Sequence, residues 1–262
     1  MSHLRAILRI LIFSIWSGAG FVLGGLAHLL ISVAPGPGVA MKRLLCRVWA
    51  RGVALIIGLR IETVGTPPTP PYILVSNHVS YVDIITIMAA SPGVFVAKSE
   101  VAGWPLLGPL SRVANTIFVD RASRKDVVRV NELIRGTLAR GEGLIMFPEG
   151  TSSRGVDVLP FRSSLLEPAV QSGRPVHYAS VTYTTPRGAP PADMAVCWWG
   201  DMTFGGHFYN LMRLPSVQGS VAFGSRTLEA DDRHELARTL HDAVTESFRP
   251  VTDGSDSPTQ PA

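Results

Sequence analysis

Charge is scarce in this chain. Only 17% of its 262 residues are Asp, Glu, Lys or Arg, against 46% hydrophobic. The mean hydropathy, +0.25, is too high for an ordinary soluble enzyme and points to contact with a membrane. Residues 10–41 hold no formally charged side chain, and His28 is their only titratable group. Cysteine occurs twice, at Cys46 and Cys197, both in apolar surroundings. That is neither a disulfide framework nor a metal site, so both read as packing residues, compatible with a reducing compartment. No Lys/Arg cluster is interleaved with aromatics, so nucleic acid is not an expected partner. No G-x-S-x-G elbow is present, which counts against a serine hydrolase. The charge that remains sums to +4 with a pI near 9.4, a mild excess suited to anionic lipid surfaces or phosphorylated substrates.

The uncharged stretch 10–41 is long enough to enter or cross a bilayer. Gly18, Gly20, Gly24 and Gly25 would allow close helix packing there. Pro35-Gly36-Pro37-Gly38 interrupts the run. Residues 39–59 then carry Lys42, Arg43, Arg47 and Arg51 without an acid, among Leu44, Leu45, Val48 and Trp49. Basic charge with Trp and Leu on a helix suits a membrane interface. A cleaved signal peptide is the alternative, because Arg5 and Arg9 precede the apolar run. The run continues well past a normal signal core, and no clear cleavage site ends it. Residues 1–60 are therefore expected to form membrane-associated helices. If the first spans fully, the positive charge after it puts the rest on the cytoplasmic side of the membrane.

From residue 61 short apolar runs alternate with amphipathic stretches. Strands are predicted at 73–76, 94–97, 116–119, 144–147, 177–183, 195–199 and 217–222. Helices are predicted at 81–90, 126–140 and 234–248. This alternation predicts an α/β domain over 61–250, with a mainly parallel sheet flanked by helices. Residues 251–262 are rich in Ser, Pro and Asp and read as a disordered tail.

Ligands of such a sheet bind at the carboxyl ends of its strands. Three predicted ends carry useful chemistry: Asn77-His78, Asp120-Arg121, and Pro148-Glu149-Gly150-Thr151. Asp83 follows His78 by five residues. On a regular helix the two would point ~140° apart, but they meet if His78 lies in the turn and Asp83 in the first helical turn. A histidine held by a carboxylate is a general base of fixed tautomer. Each of these residues has a plainer reading. Ser80 and Asp83 have the spacing of a capping box, Arg121 could be a solvated strand-end charge, and Glu149 a turn residue beside Gly150.

The boxes themselves resemble a known family. His78-Val79-Ser80-Tyr81-Val82-Asp83 matches the H-x4-D box of the glycerolipid acyltransferases, the 1-acyl-glycerol-3-phosphate acyltransferases. Phe118-Val119-Asp120-Arg121 is similar to the second box, Phe147-Pro148-Glu149-Gly150-Thr151 to the third, and Arg174-Pro175-Val176 to the fourth. Two positions depart: Asn115 stands where the second box often has Gly, and Ser152 where the third often continues with Arg. Residues 158–164 and Trp199-Gly200-Asp201-Met202 resemble the branch that includes lyso-ornithine lipid acyltransferases.

The resemblance implies acyl transfer from an acyl thioester, carried by coenzyme A or acyl carrier protein, to the hydroxyl of a lysophospholipid. It needs no metal and no other cofactor. His78 would be the base and Asp83 its orienting partner. Lys98 and Arg121 would meet an anionic headgroup, Glu149 would hold the crevice or contact the acceptor, and Thr151 would offer a hydroxyl. Backbone N–H groups near Gly150 would be candidates for the oxyanion. A non-catalytic lipid-binding membrane protein of the same fold is the alternative reading.

Overall fold

The computed structural model describes residues 2–104, 107–120 and 124–251. Two long helices come first, α1 (Ser2–Val33) and α2 (Pro35–Ile57). Ala34 separates them, and Pro35 opens α2, where a missing N–H costs nothing. Gly58 ends α2 at φ 75°, its N–H returning to the carbonyls of Ala54 and Leu55. Then follow β1 (Leu59–Val64), β2 (Ile73–Ser76), α3 (Val82–Ala90), β3 (Val94–Lys98), α4 (Leu107–Val113), β4 (Ile117–Val119), α5 (Arg124–Ala139) and β5 (Leu144–Met146). The remainder is α6 (Glu167–Gln171), β6 (Val176–Thr184), α7 (Ala192–Ala195), α8 (Phe204–Arg213), β7 (Val217–Phe223) and α9 (Arg233–Ser247).

The seven strands form one sheet in the order β1-β7-β6-β2-β5-β3-β4. β6, β2, β5, β3 and β4 run parallel; β7 meets β6 antiparallel and carries β1 parallel to itself. β2 is central and buried at every position, as its unbroken apolar run requires when helices cover both faces. Alternation sorts its side chains: Leu74 joins a core with α2, α3 and α8, while Ile73 and Val75 join one with α5 and α9. The parallel strands point β2, β3, β4 and β5 toward one edge.

Three details differ from the sequence reading. β1 was not anticipated, because Arg60 and Glu62 on one face and Thr63 on the other dilute the apolar signal. No strand forms at 195–199: Ala195 closes α7, and Trp198 and Trp199 follow in a loop, their indole N–H groups donating to the carbonyls of Met202 and Asp193. Val251 does not begin a loose tail. It is 5% exposed, and its N–H donates to the Gly155 carbonyl at 2.7 Å. Residues 252–262 lie outside the described residues.

The N-terminal helices pack by exchanging tryptophan for glycine. Trp16 lies against Gly52, and Trp49 against Gly20, where an added Cβ would sit 2.4 and 2.8 Å from ring atoms. Trp16 Nε1–H also donates to the Trp49 carbonyl at 3.0 Å. Gly24 takes Val113 of α4 in the same way, whereas Gly18 and Gly25 face open space. The outer face of α1 stays apolar and bare, with Leu4, Ile15, Leu29 and Val33 all at least 66% exposed. By length and composition α1 could cross a bilayer.

Four arginines of this pair, Arg5, Arg9, Arg43 and Arg47, turn inward, whereas Arg51 stays exposed. Arg9 donates to the carbonyls of Met212, Leu214 and Pro215, and Arg5 to that of Arg213, so both cap the end of α8. Arg47 reaches the Ala90 carbonyl at the end of α3, and Arg43 that of Gly141. Each of these carbonyls lies at or beside a helix end, where a cation is favoured by the dipole.

Candidate active site

Asn77 prepares the site. It continues β2 past its last residue, but it pairs with β6 through its side chain. Its Nδ2 donates to the Val181 carbonyl at 3.0 Å, and its Oδ1 accepts the Val181 N–H at 2.7 Å. The backbone is thereby free to turn, and His78 comes out at the strand's end with Asp83 in the first turn of α3.

The two side chains meet. His78 Nδ1 lies 2.7 Å from Asp83 Oδ2. That oxygen also accepts the N–H groups of Val79 and Ser80, at 2.7 and 2.9 Å. The same carboxylate oxygen thus orients the histidine and holds the turn that leads into α3. Asp83 is fully buried, and Tyr183 O–H of β6 donates to its other oxygen, Oδ1, at 2.9 Å. With Nδ1 directed at the carboxylate as a donor, Nε2 is the ring nitrogen left to accept a proton. The imidazole stacks on Phe147, with centroids 4.2 Å apart and planes 13° apart.

Glu149 lies behind the histidine. It is 2% exposed, and its Oε1 accepts the His78 backbone N–H at 2.7 Å. Burial pushes its carboxyl up to about 8, with the charges of Asp83 and Asp157 adding to the rise and the His78 and Leu159 amides opposing it. Its place is structural, holding the third box to the first, and a direct contact with the acceptor is not what this burial allows. Gly150 turns at φ 76°, and its N–H already donates to the Phe147 carbonyl at 3.1 Å, so that N–H is not a free oxyanion donor. Thr151 is exposed beside it, and Lys98 is exposed at the end of β3; both border the same cavity as His78. Arg121 lies outside the described residues.

That cavity has a volume of about 400 Å³. It runs from His78 and Thr151 down the inner face of α3, past Val82, Ile85 and Met88, with α2 opposite. The α2 stripe from Ile57 to Lys42 measures ~22 Å at the helical rise. At the far end, beside the start of β5, Lys42 forms a buried ion pair with Glu142. The wall between is apolar. Its shape suits one extended hydrocarbon chain with its reactive end at His78.

The departures from the family pattern have local explanations. Asn115 sits at φ 62°, the left-handed region that Gly or Asn tolerates. Ser152 Oγ–H donates to the Trp198 carbonyl, tying the third box to the segment before α8. Arg154 is held by Asp193 at 2.7 Å and lies over the Trp199 ring.

Comparison with known proteins agrees with this geometry. A family model described as Acyltransferase matches residues 60–182. The lyso-ornithine lipid O-acyltransferase of Brucella abortus is 34% identical over 230 residues, which is 83% of this chain and 86% of that protein. The chain belongs to the glycerolipid acyltransferase family. The 1-acyl-sn-glycerol-3-phosphate acyltransferase of Neisseria meningitidis serogroup B is equally similar, 34% over 211 residues, covering 77% and 78% of the two chains. Among solved structures, the 1-acyl-sn-glycerophosphate acyltransferase PlsC of Thermotoga maritima superposes with a TM-score of 0.62 over 94% of this chain and 97% of that one. At 21% identity it shares the fold, including a mixed sheet with mostly parallel strands.

Tyr183 was not singled out by the sequence. It lies 100 residues from its partner in an apolar strand, and only the register of β6 on β2 brings them together.

Proposed function

We propose that this acyltransferase moves a fatty acyl group from a thioester, acyl-CoA or acyl carrier protein, to the free hydroxyl of 1-acyl-glycerol-3-phosphate, giving phosphatidic acid. The observation that carries the reading is His78, fixed at 2.7 Å by Asp83, at the mouth of a long apolar cavity. His78 Nε2 takes the proton of the acceptor hydroxyl, and the oxygen attacks the thioester carbonyl. Asp83 stabilises the imidazolium that results. The tetrahedral intermediate then expels the thiolate, which takes the proton from the imidazolium and leaves as the thiol. The acceptor hydroxyl stands where a protein nucleophile would, so no acyl-enzyme forms.

The acyl chain occupies the cavity, and Lys98 with Arg121 meets the anionic headgroup, Arg121 on the sequence alone. A lyso-ornithine lipid is the second acceptor, favoured by the Brucella relative and by Ser152 being engaged with Trp198. Its carboxylate suits the same cations. The catalytic domain is assigned to the cytoplasmic face of the membrane. α1 touches α8 at Arg5 and α4 at Gly24, so the domain flanks it along most of its length. A helix flanked in that way keeps its bare outer face for lipid.

The deciding experiment gives detergent-purified protein one acyl-CoA and a panel of lysolipids, following thiol release and diacyl product. Lysophosphatidate should be the best acceptor. Thiol release without any diacyl product would overturn the reading in favour of a hydrolase.

A further inference from the structure

The catalytic pair accounts for one oxygen of Asp83; the other belongs to Tyr183. Tyr183 is fully buried, and its phenol is pushed well above its ordinary range by burial. Its O–H lies 2.9 Å from Asp83 Oδ1 and 2.8 Å from Thr86 Oγ1. A carboxylate can only accept, so the single phenolic proton goes to Asp83. The Tyr183 oxygen is then left to accept from Thr86. Thr86 O–H is shared between the Tyr183 oxygen and, at 3.2 Å, the Val82 carbonyl; Tyr183 O–H goes to Asp83, and His78 Nδ1–H to the opposite oxygen of the same carboxylate. Thr86 lies one helical turn after Asp83 on α3, and Tyr183 lies on β6, so the chain ties helix to sheet across the catalytic carboxylate.

We propose that Tyr183 is a positioning residue for the His78–Asp83 pair. It fixes the rotation of the carboxylate so that Oδ2 faces the imidazole, and it sets the basicity of that carboxylate. The proposal rests on the reading of His78 as the base. Without the phenol, Asp83 Oδ1 would be a buried anionic oxygen short of a donor, and such an oxygen is costly in a low-dielectric interior. The carboxylate becomes a stronger base and grips the imidazolium more tightly. The histidine then gives up its proton at higher pH and is a less willing proton donor to the leaving thiolate.

Tyr183→Phe keeps the ring and removes only the hydroxyl. A hydrogen bond to a charged group is worth enough to lower kcat by ~10–100-fold, with KM for both substrates nearly unchanged. The acidic limb of kcat/KM against pH should move up by roughly half a unit to one unit. 3-Fluorotyrosine at position 183, a stronger donor of nearly the same size, should move that limb down; this variant keeps the hydroxyl, so it reports even if Tyr183→Phe folds poorly. Thr86→Val should give a smaller change in the same direction as Tyr183→Phe. Wild-type kcat and an unmoved acidic limb in both Tyr183 variants would overturn the proposal, whatever happens to the melting temperature. So would a loss confined to one substrate's KM. His78→Ala, run in parallel, separates the two readings. If it is inactive while the Tyr183 variants behave as wild type, only the positioning role falls. If it keeps its turnover, the base itself is misassigned.

Discussion

The cavity meets charge at both ends, and the two ends obey opposite rules. At the mouth, Asp83 is surrounded by donors of fixed direction, and the arrangement leaves one basic nitrogen, His78 Nε2, for an incoming hydroxyl. At the far end, Lys42 and Glu142 are 5% and 2% exposed and neutralise each other, with Arg140 as a third partner 3.3 Å away. Burial costs both sites dearly. The mouth gains a reactive group in return. The far end gains only closure, because its charges are committed to one another away from solvent. Polar groups around an apolar channel are therefore told apart by whether one of them still faces the substrate.

The contrast breaks most completely at His78. His78→Ala should lower turnover by about 10²–10⁴-fold, the range of general base catalysis, while the protein still folds and partitions into membranes. Near-normal turnover would sink the mechanism. Asp83→Asn should follow at roughly 10²-fold or more, because the imidazole loses its fixed tautomer. A variant that lost thermal stability but kept its rate would show that Asp83 serves the helix alone.

At the other end the expected loss is in stability. Lys42→Met strands a buried carboxylate and should cost ~3 kcal/mol, the low end for a broken buried pair because Arg140 remains. The double variant Lys42→Met with Glu142→Leu should recover most of that loss in a denaturant titration. If the single and double variants were equally unstable, packing and not charge would govern the far end.

Glu149 sharpens the comparison by its pH dependence. Its folded pKa, about 8, lies above the ordinary 4.5, so between those values the folded state holds a proton that the unfolded state has released. Its contribution to stability is fully present below about 4.5, declines as pH rises, and levels off above about 8. Glu149→Gln should remove that slope from the melting temperature; an unchanged slope would place its origin elsewhere. The last expectation concerns the membrane surface and leaves the chemistry untouched: full-length protein should resist extraction by high salt. Release of the full-length protein by salt alone would show attachment by charge only.

How far the sequence could be read follows the range of each signal. β2, the five-residue step from His78 to Asp83, and the glycine after Glu149 are local patterns, and the structure places them as read. The parallel sheet followed from alternation. What could not be read depends on distant pairing. Tyr183 looks like any apolar strand residue until β6 is set in register beside β2. The arginines of α2 suggested lipid because nothing nearby in sequence told of the carbonyls at Ala90 and Gly141. β1 was hidden by its exposed polar side, and its partner β7 lies some 150 residues on, at Val217. The run at 195–199 misled in the other direction, because apolar content marks burial and not extended backbone.

Arg5 and Arg9 grip carbonyls of residues 212–215. On the ribosome, α1 is complete about 180 residues before Leu214 exists, a delay of ~10–40 s at typical elongation rates. Through most of that interval α2 is at hand to pack on it, through Trp16 on Gly52 and Trp49 on Gly20, but the carbonyls that fix its first turns do not yet exist. The two arginines are the latch that shuts once the end of α8 emerges, so the chain's earliest segment takes its final position among the last.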